Sequence, residues 1–218
     1  MNPRWRNFLP ALATVALVVL IVAIVIGNSS GGDSSRVLTS SSGEVFDGAA
    51  IPVGRRAPEF TLTDQYGHQV ALGQPRGKVT VLSFLYSSCG APCVVIAQQV
   101  RGALDELPEA VPVLIVSADP RGDTPANVRR FLAQVSLTGR VHYLSGTPAQ
   151  LRAIWRAYKV VPASAGRSAF ADYASVLLID GKGNERVLFQ SEQLTPEALS
   201  HDIRKLQTSS KVGEGLIP

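Results

Sequence analysis

One segment constrains the fold of this chain more than any other: a nearly continuous apolar run that leads directly into two cysteines. Residues 78–86 read KVTVLSFLY, which is rich in β-branched and aromatic side chains and predicts a strand buried on both faces of a sheet. SSCGAPC follows, and then VVIAQQVRGALDEL, whose apolar residues recur at helical spacing. The sequence therefore predicts a strand–turn–helix unit with Cys89 and Cys93 at the turn.

The rest of the chain continues this alternation of buried strands and helices. Further strands are predicted at VPVLIVSA, VHYL, ASVLLID and RVLFQ, with helices at ANVRRFLAQVSL, TPAQLRAIWRAYKV and LTPEALSHDIRKLQ. APEFTLTDQYGHQVAL predicts an earlier β-hairpin around Tyr66-Gly67. This order predicts an α/β fold with a partly parallel sheet, and a ββα unit that closes the chain after βαβ is the thioredoxin arrangement.

The N-terminus predicts a membrane anchor. Residues 8–26 read FLPALATVALVVLIVAIVI without a charge, which at about 1.5 Å per residue spans a hydrocarbon core of about 30 Å. Arg4 and Arg6 precede this run and no basic residue follows until Arg36, which predicts a cytoplasmic N-terminus. A cleaved signal peptide is the alternative, although no small-x-small cleavage site follows the run. Either interpretation places the remainder outside the cytoplasm.

Four parts make up the predicted domain organisation. Residues 1–27 form the cytoplasmic N-terminus and transmembrane anchor, and residues 28–51, rich in Ser and Gly, form a flexible linker. Residues 52–208 form the thioredoxin-like domain, and residues 209–218 form a C-terminal tail. The linker would let the domain reach over the membrane surface without fixing its orientation.

Charge excludes one large class of function. The formal net charge is only +4, and the basic residues are scattered without aromatic interleaving. A nucleic-acid-binding surface normally shows clustered Lys and Arg, so no nucleic-acid partner is predicted.

Cys89 and Cys93 are the only cysteines, and their predicted position favours reactive sulfur. The N-terminus of a helix carries unpaired N–H groups and partial positive charge, which stabilise a thiolate. Positions four apart share one face of a helix, so the two sulfurs can form a disulfide or hold one metal ion, and two thiolates favour Cu(I). An inert structural disulfide is the alternative, but a bridge that closes so short a loop contributes less stability than one that closes a long loop.

Four motifs in order over residues 54–207 make the chain resemble the SCO/SenC family, whose members assist assembly of the copper centre of cytochrome c oxidase. The motifs are APEFTLTDQYG, RGKVTVLSFLYSSCGAPC, VSADPRGDTP and SVLLIDGKG. The cysteine spacing and the turn from Asp119 to Thr124 are the most specific. The resemblance implies a thioredoxin-like fold with an N-terminal hairpin after one transmembrane helix. It also implies copper held by both cysteines and a distant histidine, and a redox-active disulfide between Cys89 and Cys93.

The family's histidine is absent from its matching position. Counting back from LLID, that position holds Asp172, and a slip of one residue gives Ala171 or Tyr173. Asp172 is therefore a candidate replacement ligand, with a solvated loop carboxylate as the alternative. Because imidazole suits Cu(II), its loss makes Cu(I) the expected form of bound copper. The histidines of the chain lie elsewhere and are interpreted as surface or edge residues: His68, His142 and His201.

Several functions remain to be weighed. The first is a copper-handling assembly factor that serves the copper-accepting subunit of a membrane oxidase, by delivering copper or by keeping cysteines reduced. The second is a metal-free, membrane-tethered thiol–disulfide oxidoreductase acting on another extracytoplasmic thiol protein, which the missing histidine favours. A peroxidase of the peroxiredoxin type needs Thr and Pro where this chain has Tyr86 and Leu82, so it is not predicted.

A binding module without chemistry is the last alternative. Trp155 and Tyr158 share one face of a predicted helix and resemble a docking patch, but an amphipathic helix more often buries such a pair in the core. The intact cysteine pair also argues against it. We therefore predict copper and disulfide chemistry at Cys89 and Cys93, in a protein anchored in membrane lipid with its C-terminal domain extracytoplasmic.

Overall fold

The computed structural model describes residues 45–74, 77–166, 169–170 and 174–214, the last five by their backbone alone. The predicted anchor at residues 1–27 and most of the predicted linker lie outside this part of the chain. No helix among the described residues is long and apolar enough to cross a membrane.

The secondary structure follows the predicted alternation closely. In chain order the elements are β1 (Ala49–Ala50), β2 (Thr61–Thr63), β3 (Gln69–Ala71), β4 (Thr80–Leu85), α1 (Ala91–Glu106), β5 (Val113–Ser117), α2 (Pro125–Gln134), β6 (His142–Leu144), α3 (Pro148–Ala157), β7 (Ser175–Ile179), β8 (Glu185–Gln190) and α4 (Pro196–Glu214). A short 3₁₀ turn, Ala163–Ala165, precedes β7.

The sheet is six-stranded and mixed, in the order β1-β8-β7-β4-β5-β6. β4, β5 and β6 run parallel, whereas β7, β8 and β1 each lie antiparallel to their neighbour in that order. β2 and β3 form the predicted hairpin, which meets the main sheet through an antiparallel bridge between Thr63 and Ser145. The predicted α/β class and partly parallel sheet are confirmed.

The central strand β4 is buried on both faces, as its composition predicts. Alternation along the strand sends Val81 and Leu85 into one apolar cluster and Leu82 and Phe84 into the other. The first cluster is completed by α1, α2 and α4, and the second by α3 and the β2–β3 hairpin. The sheet is therefore the middle of three layers, with α1, α2 and α4 on one face and α3 and the hairpin on the other.

Polar side chains set the starts of two helices. Thr124 Oγ1 accepts the N–H of Asn127 at the start of α2, so Thr124, rather than its neighbour Asp123, is the cap. Thr147 and Gln150 form a reciprocal capping box at the start of α3. Farther along α3, Trp155 is buried and donates its Nε1–H to Ser117 O at 3.0 Å. This burial agrees with the interpretation of Trp155 as a core residue.

Two boundaries differ from the sequence-based prediction. β1 lies before residue 52, because Asp202 on α4 accepts the backbone N–H groups of Asp47 and Gly48 and holds that segment against the domain. At the other end, α4 continues to Glu214 and includes residues predicted as a loose tail. The hydroxyls of Thr208 and Ser209 donate to carbonyls one turn earlier and so do not interrupt the helix.

Candidate functional site

The two cysteines are joined by a disulfide at the carboxyl end of β4. The sulfurs are 2.03 Å apart and the Cα atoms 5.8 Å apart. A turn in which the N–H of Cys89 donates to Tyr86 O at 3.2 Å precedes the pair, and Cys93 lies in the first turn of α1. Cys93 is fully buried, whereas Cys89 is 5% exposed. Solvent therefore reaches the disulfide only from the Cys89 side.

Gly90 makes the sharp turn between the cysteines. Its backbone has φ 82° and ψ −145°, a region that is essentially restricted to glycine. The carbonyl of Gly90 accepts the N–H of Val94 at 3.2 Å, which starts the helix immediately after the turn. Pro92 occupies the first turn, where its missing N–H has no consequence. This arrangement turns the chain between Cys89 and Cys93 so that their side chains meet.

The start of α1 supplies a favourable field for sulfur. Gly90 caps the helix without a side-chain hydrogen bond, and the first turn contains no acidic residue. The partial positive charge of the helix N-terminus is therefore not neutralised by a nearby carboxylate of its own first turn. Once the disulfide is reduced, this field favours the thiolate, which is both the nucleophile and the metal ligand.

An aromatic pair lies in the same apolar cluster as the disulfide. Tyr86 and Phe170 are both buried and meet edge to face with their ring centroids 4.8 Å apart. They belong to the same apolar cluster as Cys89 and Cys93. This contact joins Phe170, which precedes β7 in the chain, to Tyr86, the residue that follows β4.

A buried carboxylate holds the loop that carries Cys89. Asp123 Oδ1 accepts the N–H of Ser87 at 2.7 Å, and its Oδ2 accepts the hydroxyls of Ser117 at 2.6 Å and Tyr143 at 2.7 Å. These donors come from the ends of β4 and β5 and from β6. Burial, and then the negative charge of Asp123, raise the pKa of Tyr143 well above its usual value, so its phenol remains a donor. Asp123 therefore fixes the strand ends around the disulfide.

Sequence reasoning did not predict this role for Asp123. The sequence singled out only the turn from Asp119 to Thr124 that contains Asp123, and the position of that turn immediately after a buried strand was the available signal. Two backbone hydrogen bonds extend the same frame. Ala118 N–H donates to Leu85 O at 2.9 Å, and Ala163 N–H donates to Ala118 O at 3.1 Å. The 3₁₀ turn before β7 is thereby tied to the carboxyl ends of β5 and β4.

None of the histidines joins the cysteines within the described part of the chain. His142 opens β6, at the end of the parallel strands opposite Cys89, and its Nδ1 lies 3.1 Å from Asp64 Oδ2. His68 lies in the hairpin, 3.5 Å from the same oxygen. Burial raises the pKa of Asp64, but hydrogen bonds from the His68 backbone and the His142 ring outweigh this effect, so the pKa is lowered overall. Both histidines therefore contact Asp64 of the hairpin rather than the cysteine pair.

The third histidine also lies away from the cysteine pair. His201 on α4 contacts Asp47 and Asp202, far along the chain from the cysteines. Asp172, the candidate replacement ligand, lies outside the described residues. The donor set that the described residues offer to copper is thus the two sulfurs, which after reduction are soft ligands that suit Cu(I).

The fold and the site together define a class. A cysteine pair at the junction of a central strand and a helix, in a mixed sheet closed by a ββα unit, is the arrangement of a thioredoxin-like protein. The SCO1/SenC family profile matches residues 50–208. This match spans most of the chain, and the protein belongs to the SCO1/SenC family.

Solved structures agree with this assignment. ScoI of Bradyrhizobium japonicum, solved with copper bound, is 28% identical, covers 69% of this chain and 99% of its own, and superposes with a TM-score of 0.53. BsSco, a Sco-family cytochrome c oxidase assembly protein with a disulfide switch, is 21% identical over 72% of this chain and 96% of its own, with a TM-score of 0.60. The thioredoxin domain of a Bacteroides vulgatus thiol–disulfide oxidoreductase is 16% identical over 71% of this chain and 97% of its own, at 0.55.

Proposed function

We propose that this protein handles copper and exchanges disulfides through Cys89 and Cys93, in the assembly of the copper centre of cytochrome c oxidase. The observation that carries the proposal is the closed cysteine pair at the N-terminus of α1, with only Cys89 open to solvent. Copper is the cargo in this proposal. The copper-bound ScoI, at 28% identity, supports copper as that cargo.

The dithiol form would hold Cu(I). Reduction turns the disulfide into two thiols, and the helix N-terminus favours their ionised form. Two thiolates at neighbouring positions form a soft donor pair, which selects Cu(I) over harder cations. No described histidine is near enough to add an imidazole, so we expect Cu(I) rather than Cu(II). Asp172 remains a candidate additional ligand.

The same pair supports electron transfer to a client. The Cys89 thiolate attacks one sulfur of a client disulfide, which forms a mixed disulfide and releases one client thiolate. The Cys93 thiolate then attacks Cys89 Sγ, which re-forms the Cys89–Cys93 disulfide and releases the second client thiolate. Two electrons pass to the client, and an external dithiol returns the pair to its reduced form. Attack by Cys89 is supported by its exposure, since Cys93 is fully buried.

A competition titration tests the copper proposal. The reduced full chain in detergent is titrated with Cu(I) against a chromogenic Cu(I) chelator, beside Cys89→Ser, Cys93→Ser and the control Ser88→Ala, which changes an exposed neighbour. We expect one Cu(I) per chain, at least tenfold weaker binding in each cysteine variant, and unchanged binding in the control. Equal binding by the parent chain and the cysteine variants would contradict copper handling at this pair.

A metal-free oxidoreductase is the second candidate. It is favoured by the absence of a described histidine at the site, which leaves dithiol chemistry intact. If the titration shows no specific Cu(I) binding while the reduced chain still reduces a peptide disulfide with loss of two thiols, this candidate replaces the first. Loss of that reaction in Cys89→Ser would assign it to the pair.

We also propose that residues 8–26 anchor the chain and hold its C-terminal domain outside the cytoplasm. The uncharged 19-residue run after two arginines supports this orientation. The partners would then be the copper-accepting oxidase subunit or another extracytoplasmic thiol protein. Protease added to the extracytoplasmic face of intact membranes should digest the domain; its complete protection would reverse the orientation.

A further inference from the structure

A second group of potential metal ligands lies away from the cysteines, between the N-terminal segment and α4. His201 Nδ1 is 2.9 Å from Asp47 Oδ2 and 3.1 Å from Asp202 Oδ1. One ligand atom from each residue lies within 4.8 Å of the other two. Two carboxylate oxygens and one imidazole nitrogen therefore converge on one point, although the residues belong to two parts of the chain about 150 positions apart.

Both carboxylates contact the same imidazole ring. Asp202 is fully buried, and in the described part of the chain the ion-pair contacts of Asp47 and Asp202 are made to His201 alone. Lys205, on the same helix, instead donates to Val45 O at 2.5 Å and lies over the Phe46 ring. Two carboxylates therefore share one half-exposed imidazole, and the cationic ends of Lys205 and Arg186 lie over the ring of the neighbouring Phe46.

The buried carboxylate is already held in place. Asp47 N–H donates to both oxygens of Asp202 at 3.1 Å, and Gly48 N–H donates to Oδ2 at 3.1 Å. Burial raises the pKa of Asp202, and these N–H groups offset part of that effect. Hydrogen bonds of this kind orient ligand carboxylates in metal sites. Oδ2 accepts two N–H groups, whereas Oδ1 accepts one and keeps a lone pair on the side of His201 Nδ1. The side chains of His201 and Asp47 are the half-exposed ligands, so solvent reaches the group from their side.

We propose that Asp47, His201 and Asp202 form a second metal site, for a divalent cation of the zinc class. Imidazole nitrogen with carboxylate oxygens suits Zn²⁺ and differs from the soft thiolate pair that suits Cu(I). The ion replaces the proton on His201 Nδ1, and a water completes the fourth position. This inference does not depend on the proposed copper function.

The consequence of binding is local order at the start of the domain. Asp47 lies two residues before β1, whereas His201 and Asp202 lie in α4. An ion shared by them ties the N-terminal segment to the helix. Binding to the folded state alone also raises stability in proportion to the logarithm of ion concentration.

Zn²⁺ itself is the probe, used with the full chain in detergent and without a histidine tag. A Cys89→Ser/Cys93→Ser background removes the thiolates, so that heat released on titration reports the second site alone. Into this background we introduce His201→Ala and Asp47→Asn, and, as matched controls, His68→Ala and His142→Ala. Thermal unfolding without metal checks that each variant is folded.

We expect one Zn²⁺ per chain, binding at least tenfold weaker in His201→Ala and in Asp47→Asn, and unchanged binding in both controls. Hydrogen exchange at the Asp47 and Gly48 amides should slow at least tenfold on adding Zn²⁺, and only where His201 is present. Zn²⁺ binding that is absent, that survives in His201→Ala, or that is lost in His68→Ala would overturn the proposal. Cu(I) binding by the cysteine pair should persist in His201→Ala, so the two proposals fail independently.

Discussion

At the scale of single residues, Asp123 shows how a buried charge can serve a site without entering its chemistry. The carboxylate accepts hydrogen bonds from Ser87, Ser117 and Tyr143, and no described cation pairs with it. Its stability therefore rests on donors rather than on an ion pair, which is a satisfactory solution for a buried anion. The loop that holds Cys89 is positioned by this one side chain.

Replacement of Asp123 should be costly. Asp123→Ala removes the acceptor of the Ser87 N–H and the Ser117 hydroxyl and leaves the Tyr143 hydroxyl only its 3.3 Å contact with Leu85 O; each unsatisfied buried donor costs about 1–3 kcal/mol. We expect the free energy of unfolding to fall by about 3 kcal/mol or more, measured by urea denaturation of the oxidised chain. Asp105→Ala, which removes an exposed carboxylate paired with Arg101 and Arg140, is the control and should change stability by less than about 1 kcal/mol. Equal losses in the free energy of unfolding of Asp123→Ala and Asp105→Ala would contradict the role of Asp123 in positioning the loop that carries Cys89.

The sequence could predict the residues that do chemistry more readily than those that support them. The cysteine pair was evident because its spacing and its position after a buried strand carry a local signal. Asp123 could not be assigned in the same way, since its partners Ser87 and Tyr143 lie 36 and 20 positions away and meet it only through the sheet. The contact of Asp47 with Asp202 spans 155 positions and has no local signal at all.

At the scale of elements, strand and helix types were predictable and their ends were less so. Continuous β-branched runs identified β4, β5 and β7, and threonine followed by proline identified the starts of α2, α3 and α4. β1 was missed because two alanines have no strand pattern, and their strand exists only through pairing with Val187 and Leu188 of β8. The end of α4 was predicted too early, at Ser209, although serine does not by itself stop a helix and the next proline is Pro218.

The junction between β4 and α1 makes a testable element-scale prediction. Gly90→Ala places a Cβ at φ 82°, ψ −145°, and we expect unfolding of the oxidised chain to become about 1–3 kcal/mol easier. Because Gly90 lies between the cysteines, the equilibrium with glutathione should also shift towards the dithiol.

Gly67→Ala is the matched control for that experiment. Gly67 has φ 90° and, like Gly90, has open space around its Cβ position, so both variants test backbone conformation without a steric clash. Gly67 lies in the hairpin turn, and its variant should lose stability without changing the glutathione equilibrium. An equal shift of the glutathione equilibrium in both variants would contradict a specific effect of the Gly90 backbone on the disulfide.

At the scale of the whole molecule, each apolar layer has a tyrosine whose phenol is at least partly buried. Tyr143 lies in the layer with α1, α2 and α4, and Tyr158 packs against the layer with α3 and the hairpin. Burial raises the pKa of Tyr158, and nearby Glu185 and Glu59 raise it further; burial also raises that of Tyr143. In the folded chain both phenols therefore keep their protons at pH values where an unfolded chain releases them.

The sign of the resulting pH dependence follows directly. Both folded-state pKa values lie above the unfolded value of about 10. The contribution of the two tyrosines to the free energy of unfolding is therefore fully present below that pH, and it is lost as pH rises above it towards the folded-state values. Chemical denaturation of the oxidised chain between pH 8 and about 11.5 should show this fall, with a shallower slope in Tyr143→Phe and in Tyr158→Phe. Tyr66→Phe, which changes an exposed ring, is the control. If the slope of stability against pH is unchanged in both Tyr143→Phe and Tyr158→Phe, the assignment of the pH dependence to these two phenols is contradicted.

The two edge strands of the sheet, β1 and β6, affect whether copies of the domain associate with one another. β1 contains two residues and β6 contains three, and the segment after β6 is bridged to the hairpin at Thr63 and Ser145. Long, unprotected outer strands recruit strands from neighbouring copies, and short or covered ones do not. Many copies of this domain can therefore be concentrated in one place without polymerising edge to edge through these strands.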